Sequence, residues 1–439
     1  MCDTSGLMHC GNLAFSSLNS YASHITYLTI GSIVQDSEQD WMEQAACMDK
    51  VYLGGVCNIA ACDISDSRDS LFSSRDPHVG GAIVHRQIYT DYSAVFTVAP
   101  DWPRVTWDNS NLYRRGWVMQ ERWLSPRIIH FSQFPIWECR SGLVTEGFPL
   151  SDGHRTSDSF SGFPESQREW LFAHQNKMGI IQRWWEVVDH YTQCSLTYPS
   201  DKLVAIAGMA RVFSTLTNEP YYAGIWGGEH LVLSLLWHRM PICSLPAAMA
   251  TQSYRGARLD KCCPCSTTSV NLMVAPSWSW AALDGHILTR EYSLLVQPLA
   301  EFVSAHLVPK SEDIFGQLIN GELTLRGILF RIPNPTEHKY ALVGWLDYQR
   351  RTNFEIPLYF LPLAELRPLV LPPHAPQPRT FGGLFVQVAE NFSGKRAFQR
   401  IGCMQVNQTR YPQLLDADQW EKLENLHSPV EQGELITLV

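Results

Sequence analysis

The segment "RRGWVMQERWLS" (114–125) carries the side chains best placed to do chemistry. At 100° per residue, Trp117, Gln120, Glu121 and Leu124 share one helical face, so an amide and a carboxylate stand inside an apolar stripe. A carboxylate there has two uses. In a core it must be paired, with backbone groups or with Arg114 or Arg115. At a cleft it becomes an acid–base or charge-stabilising group, with Trp117 as an aromatic wall and Gln120 orienting a ligand.

Other residues with chemical potential are explained more simply. Asp36, Asp40 and Glu43 resemble a cation site, but Asp40 and Glu43 have the D-x-x-E spacing of an N-terminal capping box, and an octahedral ion needs further oxygens from elsewhere. His85 in "IVHRQIY" and His130 in "RIIHF" lie on apolar runs with no G-x-S-x-G nucleophile in the chain, so both are expected to be satisfied structural histidines. The "CCPC" cluster (Cys262, Cys263, Cys265) has no second ligand pair nearby and is expected to be a surface loop rather than a zinc site. Trp278 and Trp280 in "PSWSWAALDG" alternate onto one side of an extended chain, and packing against the α/β domain is expected of them. No glycine-rich phosphate loop is present. Neither metal nor cofactor is expected.

The elements that must position these residues follow from periodicity. "QDSEQDWMEQAACMDKVYLGG" (35–55) places Trp41, Ala45, Met48 and Tyr52 at helical spacing, and "VCNIAACD" (56–63) reads as a short buried strand. Asn109 to Asn111 offer N-caps for the helix of the opening motif, and Pro126 stands just past its end. "RIIHF" (127–131) and "PIWEC" (135–139) read as strands. The alternation up to residue 150 predicts an α/β layer. A polar stretch (151–168) reads as a linker or surface loop. Residues 169–240 read as mainly helical, with a Ser-Asp cap opening "SDKLVAIAGMARVF" (200–213). Short apolar runs at 321–332, 340–348, 356–366, 382–390, 398–406 and 433–439 predict an antiparallel meander or small barrel. The expected domains are therefore 1–150, 151–300 and 301–439.

Composition narrows the partners. The 439 residues are 45% hydrophobic and carry a net charge of −9, so there is a sizeable core and no basic surface for nucleic acid. The longest apolar runs are too short to span a bilayer, and the N-terminus lacks the features of a secretory signal. With twelve cysteines in so long a chain, free buried thiols in a reducing, cytoplasmic setting are expected.

"RRGWVMQERWLSPRIIHF…WEC" closely resembles a motif block of the fungal heterokaryon incompatibility (HET) domain, R-G-W-x-x-Q-E-x-x-L-S-x-R-x-x-x-F followed by W-E-C. It is carried here by Arg115, Gly116, Trp117, Gln120, Glu121, Leu124 and Ser125. "QDSEQDWMEQAACMDKVYLGGVCNIAA" resembles a preceding block through Asp36, Asp40 and Trp41. Segments such as "YTQCSLTYPSDKLVAIAGMAR" and "APSWSWAALDG" resemble regions that accompany HET domains. At the front, "YLTIGSIVQDS" has Thr29 and Gly31 where the family has Trp and Asp, and the family's opening strand and helix are altered or truncated.

The resemblance implies a TIR-like α/β domain, then a mainly helical middle and a β-rich C-terminal region, α+β overall. It also implies a role in non-self recognition and programmed cell death, through protein partners or self-association. Some TIR domains cleave NAD with a glutamate, which implies Glu121 as a catalytic candidate. The alternatives are the same scaffold recruited as an enzyme of secondary metabolism, doing acid–base or cyclisation chemistry on a small molecule, and an inactive remnant.

Overall fold

The structure is a computed structural model. It describes residues 37–64, 68, 70–72, 82–89, 92–98, 102–139, 142–145, 176–239, 274–289, 295–333, 335, 347, 353–367, 378–389, 396–427 and 433–439. These form two compact units, one up to residue 174 and one from residue 175 onward. Helices and sheets occur in both, and the C-terminal region is rich in strands.

The first unit opens with α1 (Glu38–Ala45) and α2 (Met48–Gly54). The expected single helix is broken at Ala46–Cys47, and its cap is Ser37, whose side chain accepts from the Asp40 N–H. Asp40 thus sits inside the first turn and is not the N-cap, a correction to the D-x-x-E reading. Strand β1 (Asn58–Ala61) is followed by the hairpin β2 (Ala82–Tyr89) and β3 (Tyr92–Val98), then α3 (Trp102–Asn109) and α4 (Gly116–Leu124). Then come β4 (Arg127–Phe131), β5 (Ile136–Cys139) and β6 (Gly142–Thr145) in a sheet of order β1-β4-β5-β6.

The β1–β4 pair is parallel, so the chain between them must cross over, and α4 is the last leg of that crossover. It packs against α2 and buries every side chain from Val118 to Leu124. The expected caps at Asn109–Asn111 do not form. Asn109 ends α3, Leu112–Arg114 make a 3-10 turn, and the N-cap of α4 is Arg115 without a side-chain bond.

The second unit begins with α5 (Lys177–Thr192), capped by Asn176, and α6 (Val204–Thr217). The predicted Ser-Asp cap of α6 is instead part of a 3-10 turn, Pro199–Asp201, and Leu203 is the N-cap. Next is a tight hairpin of β7 (Tyr221–Tyr222) and β8 (Ile225–Trp226), turning through Ala223 (φ 46°) and Gly224 (φ 95°). Both turn residues have positive φ, as a two-residue hairpin of matching twist requires. The Gly224 carbonyl accepts two indole N–H groups, from Trp184 (2.8 Å) and Trp280 (2.9 Å).

A Cβ on Gly224 would lie 2.3 Å from Nε1 of Trp280. Gly224→Ala is therefore expected to lose about 2–3 kcal/mol, from positive-φ strain plus overpacking, as a lower urea midpoint with unchanged slope. Trp278 and Trp280 are fully buried within this unit, in and beside the turn Trp280–Ala282. Trp280 packs edge-on against Tyr191, and the Trp237 indole N–H donates to the Trp278 carbonyl at 3.0 Å.

After the four-residue helix α7 (Leu231–Ser234) and the short pair β9 (His238–Arg239) and β10 (Ile287–Leu288), an eight-stranded sheet takes over. Its strands are β11 (Leu295–Pro298), β12 (Glu301–Pro309), β13 (Leu318–Gly327), β14 (Phe330–Arg331), β15 (Leu358–Leu366), β16 (Thr380–Val388), β17 (Ala397–Val406) and β18 (Glu434–Leu438). The order is β11-β15-β16-β17-β18-β13-β12, with β14 also on β15 and only the β17–β18 pair parallel. The two ends of this order, β11 and β12, are joined by Leu299 and Ala300 alone, whose N–H groups both donate to the Leu363 carbonyl. The chain steps from one edge to the other in two residues, so the sheet must curl until its edges meet, as in a small barrel. Helix α8 (Ala417–Glu424), held by an Asp416–Gln419 capping box, adds Trp420 and Leu423 to the core.

A buried ion pair ties the barrel to the helical segment. Arg400 on β17 is fully buried and donates to Asp347 (2.8 Å) and to the carbonyls of Leu235 and Trp237 (2.6 Å each). Its guanidinium also lies over the Trp237 ring at 3.3 Å. Burial pushes the Asp347 carboxyl up, and Arg400 pulls it part of the way back. Among the described residues no helix is long and apolar enough to cross a membrane.

Candidate functional site

A cluster of buried ionisable groups lies in the first unit, where Arg122 of α4 meets His130 of β4 and Glu138 of β5. Along "RIIHF" Ile128 and His130 point inward, and along "IWEC" so do Ile136 and Glu138. The antiparallel register pairs Ile128 with Glu138 and His130 with Ile136, so the imidazole and carboxylate are diagonal neighbours on the buried face. Nε2 of His130 lies 2.9 Å from Glu138 Oε2, and Arg122 Nε on α4 donates to the same oxygen at 3.0 Å. Nδ1 of His130 meets the Tyr113 hydroxyl, and the Cys62 thiol donates to that hydroxyl at 3.5 Å. Arg122 also stacks its guanidinium over the rings of Trp107 (4.1 Å) and Tyr113 (5.2 Å).

Burial sets the electrostatics of this cluster. His130 is 0% and Glu138 1% exposed. Burial pushes the Tyr113 phenol well up, reinforced by Cys62, and pushes the Cys62 thiol up to about 12. Cys62 is thus a protonated hydrogen-bond donor at neutral pH and no nucleophile.

The family block is placed beside this cluster. Gln120 is 1% and Glu121 6% exposed, and Glu121 faces Tyr52, whose phenol is raised first by burial and then by the Glu121 charge. A void of about 10 Å³ is lined by Glu121, Arg122, Tyr113 and Asn58 among others, room for about one water. Ser125 is buried and donates back to the Glu121 carbonyl at 2.5 Å. Leu124 and Gly116 are core, whereas Arg115 is exposed.

Trp117 turns away from the void and packs edge-on against Trp41 at 6.0 Å, joining α4 to α1. Asp40, half-buried on α1, is not among the residues lining the void. Asp36, the "CCPC" cluster and the 151–168 stretch lie outside the described residues. His85 falls on β2. No group of three or more metal-ligating side chains occurs among the described residues. The second unit has a cleft of about 570 Å³ lined by Ser277, Asn320, Asn353, Gln387, Gln399 and Val439 among others.

An α+β domain with a parallel strand crossover and a buried acid–base cluster is the class that this geometry defines. Residues 29–121 match the family model described as Heterokaryon incompatibility protein (HET), and this part of the chain is similar to that family. The match begins at Thr29, compatible with the altered front, and ends at Glu121. His130 and Glu138 thus lie beyond the matched segment. No curated protein and no solved structure matches the chain.

Proposed function

We propose that this chain is a cytoplasmic effector of fungal non-self recognition, whose HET domain adopts a TIR-like arrangement and sets off cell death through self-association or protein partners. What carries this reading is the R-G-W-x-x-Q-E block inside the matched segment, folded as the crossover helix α4 between the parallel strands β1 and β4. Inducible expression in a fungal host tests it. Growth arrest with self-association by size-exclusion chromatography is the expected result; normal growth at verified protein levels sinks the reading.

Glu121 has a packing role in this reading. The void beside it is tens of times smaller than a ligand pocket of roughly 300–1,000 Å³. Glu121→Gln is expected to leave host NAD levels as in the wild type while lowering stability by about 1 kcal/mol. NAD depletion by the wild type that vanishes in the variant would restore the catalytic reading.

A further inference from the structure

We propose that the cleft of the second unit binds a small, neutral, polyhydroxylated molecule, a sugar or polyol. The site lies within that unit alone and does not depend on the effector reading.

The cleft lies where β13 and β17 begin and β16 and β18 end. At about 570 Å³ it falls inside the roughly 300–1,000 Å³ of small-molecule sites, whereas the void beside Glu121 is about 10 Å³. It opens to solvent, since Ile319 on its wall is 70% exposed. The polar side chains of its described lining are the carboxamides of Asn320, Asn353, Gln387 and Gln399 and the Ser277 hydroxyl. That hydroxyl is already engaged, donating to the Val439 carbonyl and accepting the Arg400 N–H.

Three of the amides are held in fixed orientations by the backbone. Asn320 Oδ1 accepts the Gly321 N–H at 2.8 Å, and Asn353 Oδ1 accepts the Glu355 N–H at 2.9 Å. A backbone N–H requires the oxygen, so in both the NH2 group is turned away as a donor. Gln387, buried, is held the other way round. Its Nε2 donates to the carbonyls of Asn353 (2.8 Å) and Ile356 (3.1 Å), which leaves Oε1 as an acceptor. Gln399 stands opposite Gln387 in the β16–β17 register, on the same face of the sheet, and can both donate and accept.

Two fixed donors, one fixed acceptor and one amide of both kinds select among ligand classes. A charged ligand would exchange its hydration for these neutral dipoles, which do not compensate the loss. A hydroxyl donates and accepts, as a carboxamide does, so several hydroxyls on one small frame complement amides set around a cleft. Ile319, Ile356 and Val388 supply the aliphatic surface against which the C–H face of such a molecule rests. An added peptide strand would need backbone groups along a sheet edge, and at Gly321 the N–H is taken by the Asn320 side chain.

Saturation-transfer NMR on the full chain tests this, with glucose, trehalose and mannitol as probes and gluconate and glucose 6-phosphate as charged counterparts. Saturation is expected to reach at least one neutral probe and neither charged one. Asn353→Asp keeps the acceptor for the Glu355 N–H and removes only the outward donor, and Gln399→Ala removes a half-buried side chain. Each variant is expected to melt within a few degrees of the wild type and to weaken binding of the same probe about tenfold, as loss of one hydrogen bond to the ligand would. Asn320→Asp, which keeps the Gly321 bond in the same way, replaces either variant if that one fails to fold. No saturation of any neutral probe, equal saturation of the charged counterparts, or unchanged affinity in both folded variants overturns the proposal.

Discussion

Arg400→Met is expected to destabilise the second unit by about 3–5 kcal/mol, because it strands a buried carboxylate and removes the donors to two buried carbonyls. Arg400 is 0% exposed, Asp347 is buried with it, and the Leu235 and Trp237 carbonyls have been drawn onto its guanidinium. Urea unfolding followed by tryptophan fluorescence reads the loss. Arg400→Met with Asp347→Leu is expected to regain part of it, since the charge goes but the carbonyls stay unserved. A deficit under about 1 kcal/mol would mean that water reaches the pair.

The same variant has a pH signature. Burial already raises the Asp347 carboxyl above its ordinary range, and removing Arg400 raises it further. A carboxyl raised in the fold contributes stability below its unfolded pKa, and that contribution is lost as pH rises through the folded pKa. The deficit of Arg400→Met is therefore expected to be smallest in acid and to grow toward neutral pH. A deficit that shrinks with rising pH would contradict this account.

The second large effect belongs to the first unit. Glu138→Ala leaves Arg122 without its carboxylate and His130 without its Nε2 partner, and is expected to lose about 3–5 kcal/mol. Amide hydrogen exchange on β4 and β5 should accelerate accordingly, while the second unit keeps its protection. Combining Glu138→Leu with Arg122→Met and His130→Leu removes every stranded charge and is expected to recover much of the stability.

Much of this architecture was legible from short-range pattern. Strands β4, β5, β15, β16, β17 and β18 lie within or close to their apolar runs, because a half-buried or buried strand declares itself by alternation or by a continuous apolar segment. Helix ends were legible only in part. The break at Ala46–Cys47 carries no Gly or Pro, and Ser37 rather than Asp40 caps α1 because both residue types suit that position.

The cluster itself was half visible. The sequence marks His130 as a satisfied structural histidine, and both its ring nitrogens have partners, but it singles out neither of those partners, Tyr113 and Glu138, nor Arg122, which donates to Glu138. A signal was present: "RIIHF" and "IWEC" each place an ionisable residue on the face that also carries isoleucine. The Arg400–Asp347 pair had no such signal, since its members are far apart in sequence and only the barrel brings them together.

The two-residue step from β11 to β12 has a kinetic consequence. Strand β13 lies between β12, its near neighbour in sequence, and β18, which is far along the chain. The β12–β13 hairpin can therefore form early, but it waits with one side open until β18 arrives, and pairings of such long sequence separation are slow. During that wait an unpaired strand edge is available to other chains. The yield of native protein should thus depend on temperature and concentration during refolding more steeply than its equilibrium stability does.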